Sequence, residues 1–417
     1  MENMIYEIWK NRLFPHTGLC TTNGEKLRII DNGQNDGESN IFNNAKIKIG
    51  NEVKTGDVIL HDKEMGTDSE NAILHVTIDN STRINEKVAQ VNISYPDNLK
   101  EELKSFIAEK NYKPCAHVSA RGEQIILHNI LSRMLVERIE EKAAQIEQTY
   151  QKCEKKWEDT LFQTLVRSFG FGIHRTLFKE LADILDFKAL AKHRDNAIQV
   201  EAIFFGQAGL LNEQSIPYFH RESVTKNRYF KELKREYNFL SNKFKLQSMD
   251  YRVWEEGHSS PHLRIARLAT IYHSRNFNMS NIAECNSIEE LREIIATPLR
   301  GYWYSHSRFG GTERFGNSKM NERQTDVIII NAIAPVLYVY GKHRKDFKLC
   351  EKAEDYLHAL KSEENRIVRH WREQGIESNC AADSQALLHL DKCYCSRNEC
   401  IRCLCAYHYI KSVLKNA

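Results

Sequence analysis

The chain has no uninterrupted apolar run approaching the roughly 20 residues needed to cross a bilayer. Its opening, MENMIYEIWKNRLFP, carries charges throughout instead of the apolar core of a signal peptide. The expectation from these absences is a soluble, cytoplasmic protein with no membrane partner. A glycine-rich P-loop followed by Lys and Ser or Thr is missing, as are the metalloprotease element H-E-x-x-H and the elbow G-x-S-x-G. The common nucleotide-hydrolase, zinc-protease and esterase readings therefore lack their machinery. A charge excess of either sign is also missing: 59 Lys and Arg stand against 56 Asp and Glu, a formal +3. Any affinity for nucleic acid must come from local patches and not from the field of the whole molecule.

What is present is length. A chain of 417 residues accommodates two or three domains and a core that needs no covalent staple. The eleven cysteines are not required for bulk stability, and in a reducing compartment they read as buried thiols plus a candidate ligand set and not as a disulfide framework.

Taken in order, Ile5, Ile8, Trp9 and Leu13 recur at helical spacing before Pro15, predicting a short packing helix. Segments 26–31, 44–50, 53–61, 71–79 and 88–93 are short, alternating or apolar, and separated by Gly, Asn and Asp turns, which is a strand series. QIILHN near 124 reads as a further strand, and LKSFIAEK as a helical stretch backing the sheet. From about 127 the period changes to three or four. Leu131, Leu135, Ile139, Ala143, Ile146, Tyr150, Cys153, Trp157, Leu161, Leu165 and Phe169 form one stripe, a long helix or two abutting ones. Further helices follow, and the apolar stretch 324–341 reads as a central buried helix, too short for a membrane and bent at Pro335. The fold class expected is α+β: a small mixed-sheet domain over 1–125, then a mainly helical domain over 126–417.

Three clusters in the helical part carry chemistry. WYSHSRFGG holds Trp303, His306 and Arg308, YHSRNF offers His273 and Arg275, and KHRDN spans 192–196. Aromatics that stack on bases beside arginines that fork onto phosphate fit a nucleic-acid groove; capping and ion pairing between helices is the alternative. Near the C-terminus Cys393, Cys395, Cys400, Cys403 and Cys405 crowd together, with Cys380 upstream. Thiolates at short spacing suit a structural zinc or an iron–sulfur cluster, with Cys393, Cys395, Cys400 and Cys403 as the ligand set. Cys400 and Cys403 also fit, with Ile401, Leu404 and Tyr407, the apolar face of a terminal helix, where they would be buried thiols; a redox or adventitious disulfide is the third possibility.

The segments IYEIWKNRLF, FNNAKIKI, GDVILH, AILHV, MLVERIEEK, WEDTLFQTLVRSFGFG, KHRDNAIQVEAIFFGQAGLL, LKREYNFLSNKF, YWYSHSRFG and SQALLHLDKCYCSRNECIRC resemble, in collinear order from about 4 to 410, a bacterial family known as domain of unknown function 2851. The resemblance brings no activity with it. The family's usual N-terminal pattern, G-P-D-F-x-N-A-x-I followed by G-N-V-E-I-H, is similar to the core of PD-(D/E)xK nucleases, where Asp and Glu on adjacent strands hold Mg²⁺. It implies that Ile41 stands in the Asp slot, Asn40 in the Pro slot and Ile59 in the Glu slot, while Asn44, His61 and His75 remain. Both carboxylates are lost unless Asp36, Glu38, Asp57 or Glu64 rebuild a site from loops. It also implies that Cys395, Cys400 and Cys403 match a family motif.

Two functional expectations follow: a non-catalytic binding or structural protein with a nucleic-acid or protein partner, in which the sheet is a degenerate restriction-endonuclease-like relic, or a metal-dependent nucleic-acid-processing enzyme with an atypical site.

Overall fold

The computed structural model describes residues 4–10, 12, 14, 18–35, 40–61, 69–78, 84, 87–93, 124–171, 174–250, 261–311, 319–397, 403–406 and 408. Within these, an N-terminal mixed β-sheet domain is followed by a large α-helical domain. Backbone packing groups the chain into two compact units, one within 1–130, 371–376 and 390–417, the other within 131–370 and 377–389. LKSFIAEK lies outside the described residues.

In the first unit, helix α1 (Met4–Lys10) buries Ile5, Ile8 and Trp9, and the Trp9 indole donates to the Asn32 carbonyl at 3.0 Å. The strands β1 (Leu27–Asp31), β2 (Ile41–Ile49), β3 (Glu52–His61), β4 (Ala72–Thr77) and β5 (Ala89–Asn92) lie in that spatial order. The first three pair antiparallel; β4 and β5 each join parallel. The period of two sends Val58, Leu60, Leu74 and Val76 to one face and Ile59, His61, His75 and Thr77 to the other. All eight are buried, as expected of central strands covered on both sides. In β2 a bulge between Phe42 and Ala45 sets Asn43 and Asn44 against the single residue Asp57, one residue more than the partner strand, so both Phe42 and Ala45 turn inward. Asn44 takes the left-handed conformation, φ 59°, which asparagine tolerates better than most side chains.

From residue 124 onward the long apolar stripe becomes two helices, α2 (Gln124–Lys152) and α3 (Trp157–Ser168). They are separated where Glu154 and Lys155 both take positive φ. QIILHN, expected as a strand, is instead the first turn and a half of α2. Leu127, Ile130, Leu131, Met134 and Leu135 continue the stripe at spacings of three and four, so the helical pattern overrides the local β-branched pair Ile125–Ile126. Next come α4 (Arg175–Ile184), α5 (Phe187–Lys192), α6 (Ala197–Gln207), α7 (Tyr218–Lys226), α8 (Arg228–Phe244), α9 (His262–Ser274), α10 (Met279–Glu284), α11 (Ile288–Ile295) and α12 (Tyr302–Ser305). The chain continues through α13 (Glu322–Ile328), α14 (Ala334–Arg344), α15 (Phe347–Ala359), α16 (Arg366–Glu373) and α17 (Ala381–Leu390).

The apolar stretch around Pro335 is longer than its sequence suggests. Glu322–Arg344 is one 23-residue helical run, long and apolar enough by composition to span a bilayer, which corrects the expectation that it is too short. Its most apolar window is 72% buried against the rest of the protein, as in a core helix. Pro335 does not simply bend it. The turn Ile329–Ile333 is a π-turn in which the Ala334 N–H reaches back to the Ile329 carbonyl. The Ile330 carbonyl thereby loses its ordinary donor, Ala334, and the next residue along is a proline with no N–H to give. Lys142, on α2, fills the vacancy: its amine donates to the Ile330 carbonyl and to Asn331 Oδ1, each at 3.1 Å. Part of the lysine remains accessible, yet burial of the amine, with Arg138 nearby, pulls its pKa down to about 7. A neutral amine still has two N–H donors for these two acceptors.

Candidate nucleic-acid interface

The sheet offers the first candidate. Ile41 lies directly opposite Ile59, and Ile59 opposite His75. Ile59 is 1% exposed, and two hydrocarbon side chains give a hard cation no oxygen. His61 Nε2 lies 2.8 Å from His75 Nδ1, and next to them Gln90 donates to the Thr77 hydroxyl, which is itself bonded to Asn92. This is a buried polar network within the sheet. Asp57 accepts from the Ser69 hydroxyl at 2.8 Å. Asp36, Glu38 and Glu64 lie outside the described residues.

The cysteines correct a second expectation. A structural zinc or iron–sulfur cluster needs a converging ligand set, and among the described residues no group of three or more His, Cys, Asp or Glu could hold a metal ion. Cys393 and Cys395 sit half-buried on the π-turn Asp391–Cys395, whereas Cys403 and Cys405 are buried. A hydrogen bond with Cys405 draws the Cys403 thiol below its usual value, outweighing burial. Cys400, Ile401 and Tyr407 lie outside the described residues.

The histidine and arginine clusters separate into two groups. In one, His273 Nδ1 meets the Arg194 carbonyl at 2.7 Å, Arg194 donates to the Tyr272 carbonyl and lies over that ring, and Arg275 pairs with Asp195. Asn196 caps α6 by accepting from the Gln199 N–H. These groups tie α9 to the start of α6, the structural alternative weighed for them.

The second group is different, because it builds an ordered column of rings. Tyr229 stacks on Tyr302 at 4.6 Å, and Tyr302 on His306 at 4.0 Å, both at 12°. Burial holds the scaffold in place: Trp303 stacks on Phe205 at 4.9 Å, and its indole donates to Glu201 at 2.9 Å. Tyr229 donates to the same carboxylate. Burial pushes the Glu201 pKa up, and the two donors partly oppose this. The Tyr302 hydroxyl donates to the Arg308 carbonyl and accepts from the Gly310 N–H. Gly310 is required here: its φ is +60°, and a Cβ would lie 2.9 Å from the backbone of α7. His262, lodged among Phe205, Trp303 and Phe309, has its pKa lowered to about 4 by burial, with Arg308 adding to the shift.

Tyr229 belongs to α8, whose outer face is cationic. Asn227 caps the helix by accepting from the Phe230 N–H, and Phe230, Leu233 and Leu240 bury its inner face. At 100° per residue Arg228, Lys231, Arg235 and Phe239 fall on one outward stripe, with Lys243 at its margin. All five are exposed, Phe239 at 59%. Lys243 flanks both Phe239 and Phe244, and Lys192 also approaches Phe244. Among the described residues Arg228, Lys231, Lys192 and Lys243 have no carboxylate within ion-pair distance, and Arg235 has only a 3.5 Å contact to Glu236. Glu232 falls on the same face, between Phe239 and Lys243. Gly206 lets α8 approach this closely, since a Cβ there would sit 2.1 Å from the Tyr237 ring.

The sequence reading identified Trp303, His306 and Arg308 but missed Glu201, Tyr229, Tyr302 and the α8 stripe. A glutamate inside the apolar run AIQVEAIFFG was the available signal. Two cavities offer less. One, beside Lys142, has a volume of about 20 Å³, room for one water. A cleft of about 560 Å³ between α11 and α15 is lined by charges of both signs; there Lys352 and Tyr356 are bonded to the Cys285 carbonyl and Arg292 to Asp326.

No curated protein and no solved structure matches the chain. A family model described as protein of unknown function (DUF2851) matches residues 2–366, ending before the C-terminal cysteines. With most of its length covered by that match, the chain belongs to the DUF2851 family.

Proposed function

We propose that the protein is a non-catalytic binding protein that contacts nucleic acid through the cationic face of α8. The observation that carries this reading is the stripe of Arg228, Lys231, Arg235 and Lys243 interrupted by exposed Phe239. Four cations over about 22 Å of helix match a run of backbone phosphates, and an exposed aromatic between them suits a base. With a formal charge of only +3 in the whole chain, such a stripe is a local feature.

The non-catalytic part of the proposal rests on the sheet. The antiparallel pair β2–β3, with β4 parallel to β3, is compatible with a degenerate nuclease-like core, and the slots that would hold a divalent cation carry Ile41 and Ile59. A nuclease would have to draw its carboxylates from Asp57 and from Asp36, Glu38 and Glu64, which lie outside the described residues. Fluorescence anisotropy with a labelled oligonucleotide, followed by gel analysis after incubation with Mg²⁺, tests both parts. Salt-sensitive binding with an intact oligonucleotide supports the proposal. Cleavage overturns its non-catalytic part, and no binding at low salt overturns the nucleic-acid part.

A further inference from the structure

We infer that the column Tyr229–Tyr302–His306 is a stacking platform that makes the protein select single-stranded over duplex nucleic acid. This rests on the nucleic-acid reading of the α8 face and adds the class of strand.

The column's rings are spaced and tilted as stacked bases are, 4.6 and 4.0 Å between centroids at 12°. Its inner end is fixed. The Tyr229 hydroxyl is bonded to half-buried Glu201, and the Tyr302 hydroxyl is held by Arg308 and Gly310. The outer end is held as well: the His306 N–H donates to the Tyr302 carbonyl at 3.1 Å, and its Nδ1 lies 3.0 Å from the Ser305 hydroxyl. Among the described residues no further ring lies against His306. The next ring to join the column would meet a surface already ordered, so little conformational entropy is lost on stacking.

The surroundings favour a base with its phosphates. Arg308 is exposed and its guanidinium lies 2.6 Å from His220 Nε2, so its charge flanks the column. Arg228, the first residue of the cationic stripe, adjoins Tyr229 in the chain, and Tyr304 is 50% exposed between Tyr302 and His306 in sequence. A strand whose phosphates follow α8 therefore arrives at the column with its bases unpaired and available. In a duplex each base face is already stacked on its neighbours, and only a flayed or single strand can lay a base on His306.

The test compares a fluorescein-labelled oligothymidylate of about 15 nucleotides with its duplex, titrated at equal salt against the full chain and its His306→Ala and His306→Phe variants. The expected result is tighter binding of the single strand, a loss of about fivefold to a hundredfold in His306→Ala on the single strand alone, and near-native binding in His306→Phe, which keeps a ring. Equal affinity for both strands, or an unchanged single-strand affinity in His306→Ala, overturns the platform while leaving the cationic reading standing. Absence of binding to either nucleic acid overturns both.

Discussion

The amine of Lys142 lies 3.1 Å from the Ile330 carbonyl oxygen and supplies the donor that Pro335 cannot. A lysine on one helix thus completes the backbone of another. Replacing it by methionine keeps the stem and leaves the carbonyl without this donor, a cost of about 1–3 kcal/mol. Pro335→Ala restores an N–H in π-register with Ile330, so the double variant should lose less than the sum of the two single changes. Urea unfolding of the four proteins measures the coupling, and strict additivity would contradict it.

The same lysine makes stability depend on pH. Its pKa in the folded protein is about 7, against an ordinary value of 10.5. Between these values the unfolded chain holds a proton that the folded protein lacks. Stability therefore rises with pH across that window, at up to about 1.4 kcal/mol per unit, and the contribution levels off outside it. Arg138 and Arg175 push the pKa down, whereas Glu141 and Glu363 pull it up. The expected outcome is that the cost of Lys142→Met grows from pH 7 to pH 9.5, seen as diverging unfolding midpoints for the two proteins.

Glu201 works in the opposite sense. Its pKa is raised by burial, so between the ordinary carboxyl value and the raised one the folded protein holds the extra proton, and stability falls as pH rises through that window. Glu201→Gln should flatten this slope. It should also cost about 1–3 kcal/mol, because the carboxylate that receives both Tyr229 and Trp303 is replaced by an amide. Thermal melts between pH 4 and pH 7 measure both effects.

Gly206 sets how closely α8 packs on α6. A methyl there would meet the Tyr237 ring at 2.1 Å, so Gly206→Ala should destabilise by about 1–3 kcal/mol by overpacking. Tyr237→Leu in the same chain should recover part of the loss. If Gly206→Ala melts at the native temperature, the helices are not packed as described.

Much of the fold is legible in the sequence because it is local. Gly, Asn and Asp turns delimit β1 to β5, and the three-to-four spacing marks α2 and α3. The misreading at 124–129 came from a β-branched pair whose neighbours, Leu127 and Ile130, already belong to the helical stripe. The π-turn could not be read, since the donor that permits it stands 188 residues away at Lys142. The platform was half legible for the same reason. WYSHSRFGG announced aromatics beside an arginine, but Tyr229 reaches the column from another helix. Thiolate spacing suggested a metal, and spacing alone does not make side chains converge.

The most direct test of the central claim is the salt dependence of binding. The logarithm of the association constant for a single-stranded oligonucleotide, plotted against the logarithm of salt concentration, should fall with a slope of about −3 if four or so phosphates are neutralised. Lys231→Glu together with Arg235→Glu should reduce that slope by at least about 1.4 and weaken binding at least tenfold while leaving the unfolding midpoint near native. A slope near zero, or a double variant indistinguishable from the native protein, would contradict the account.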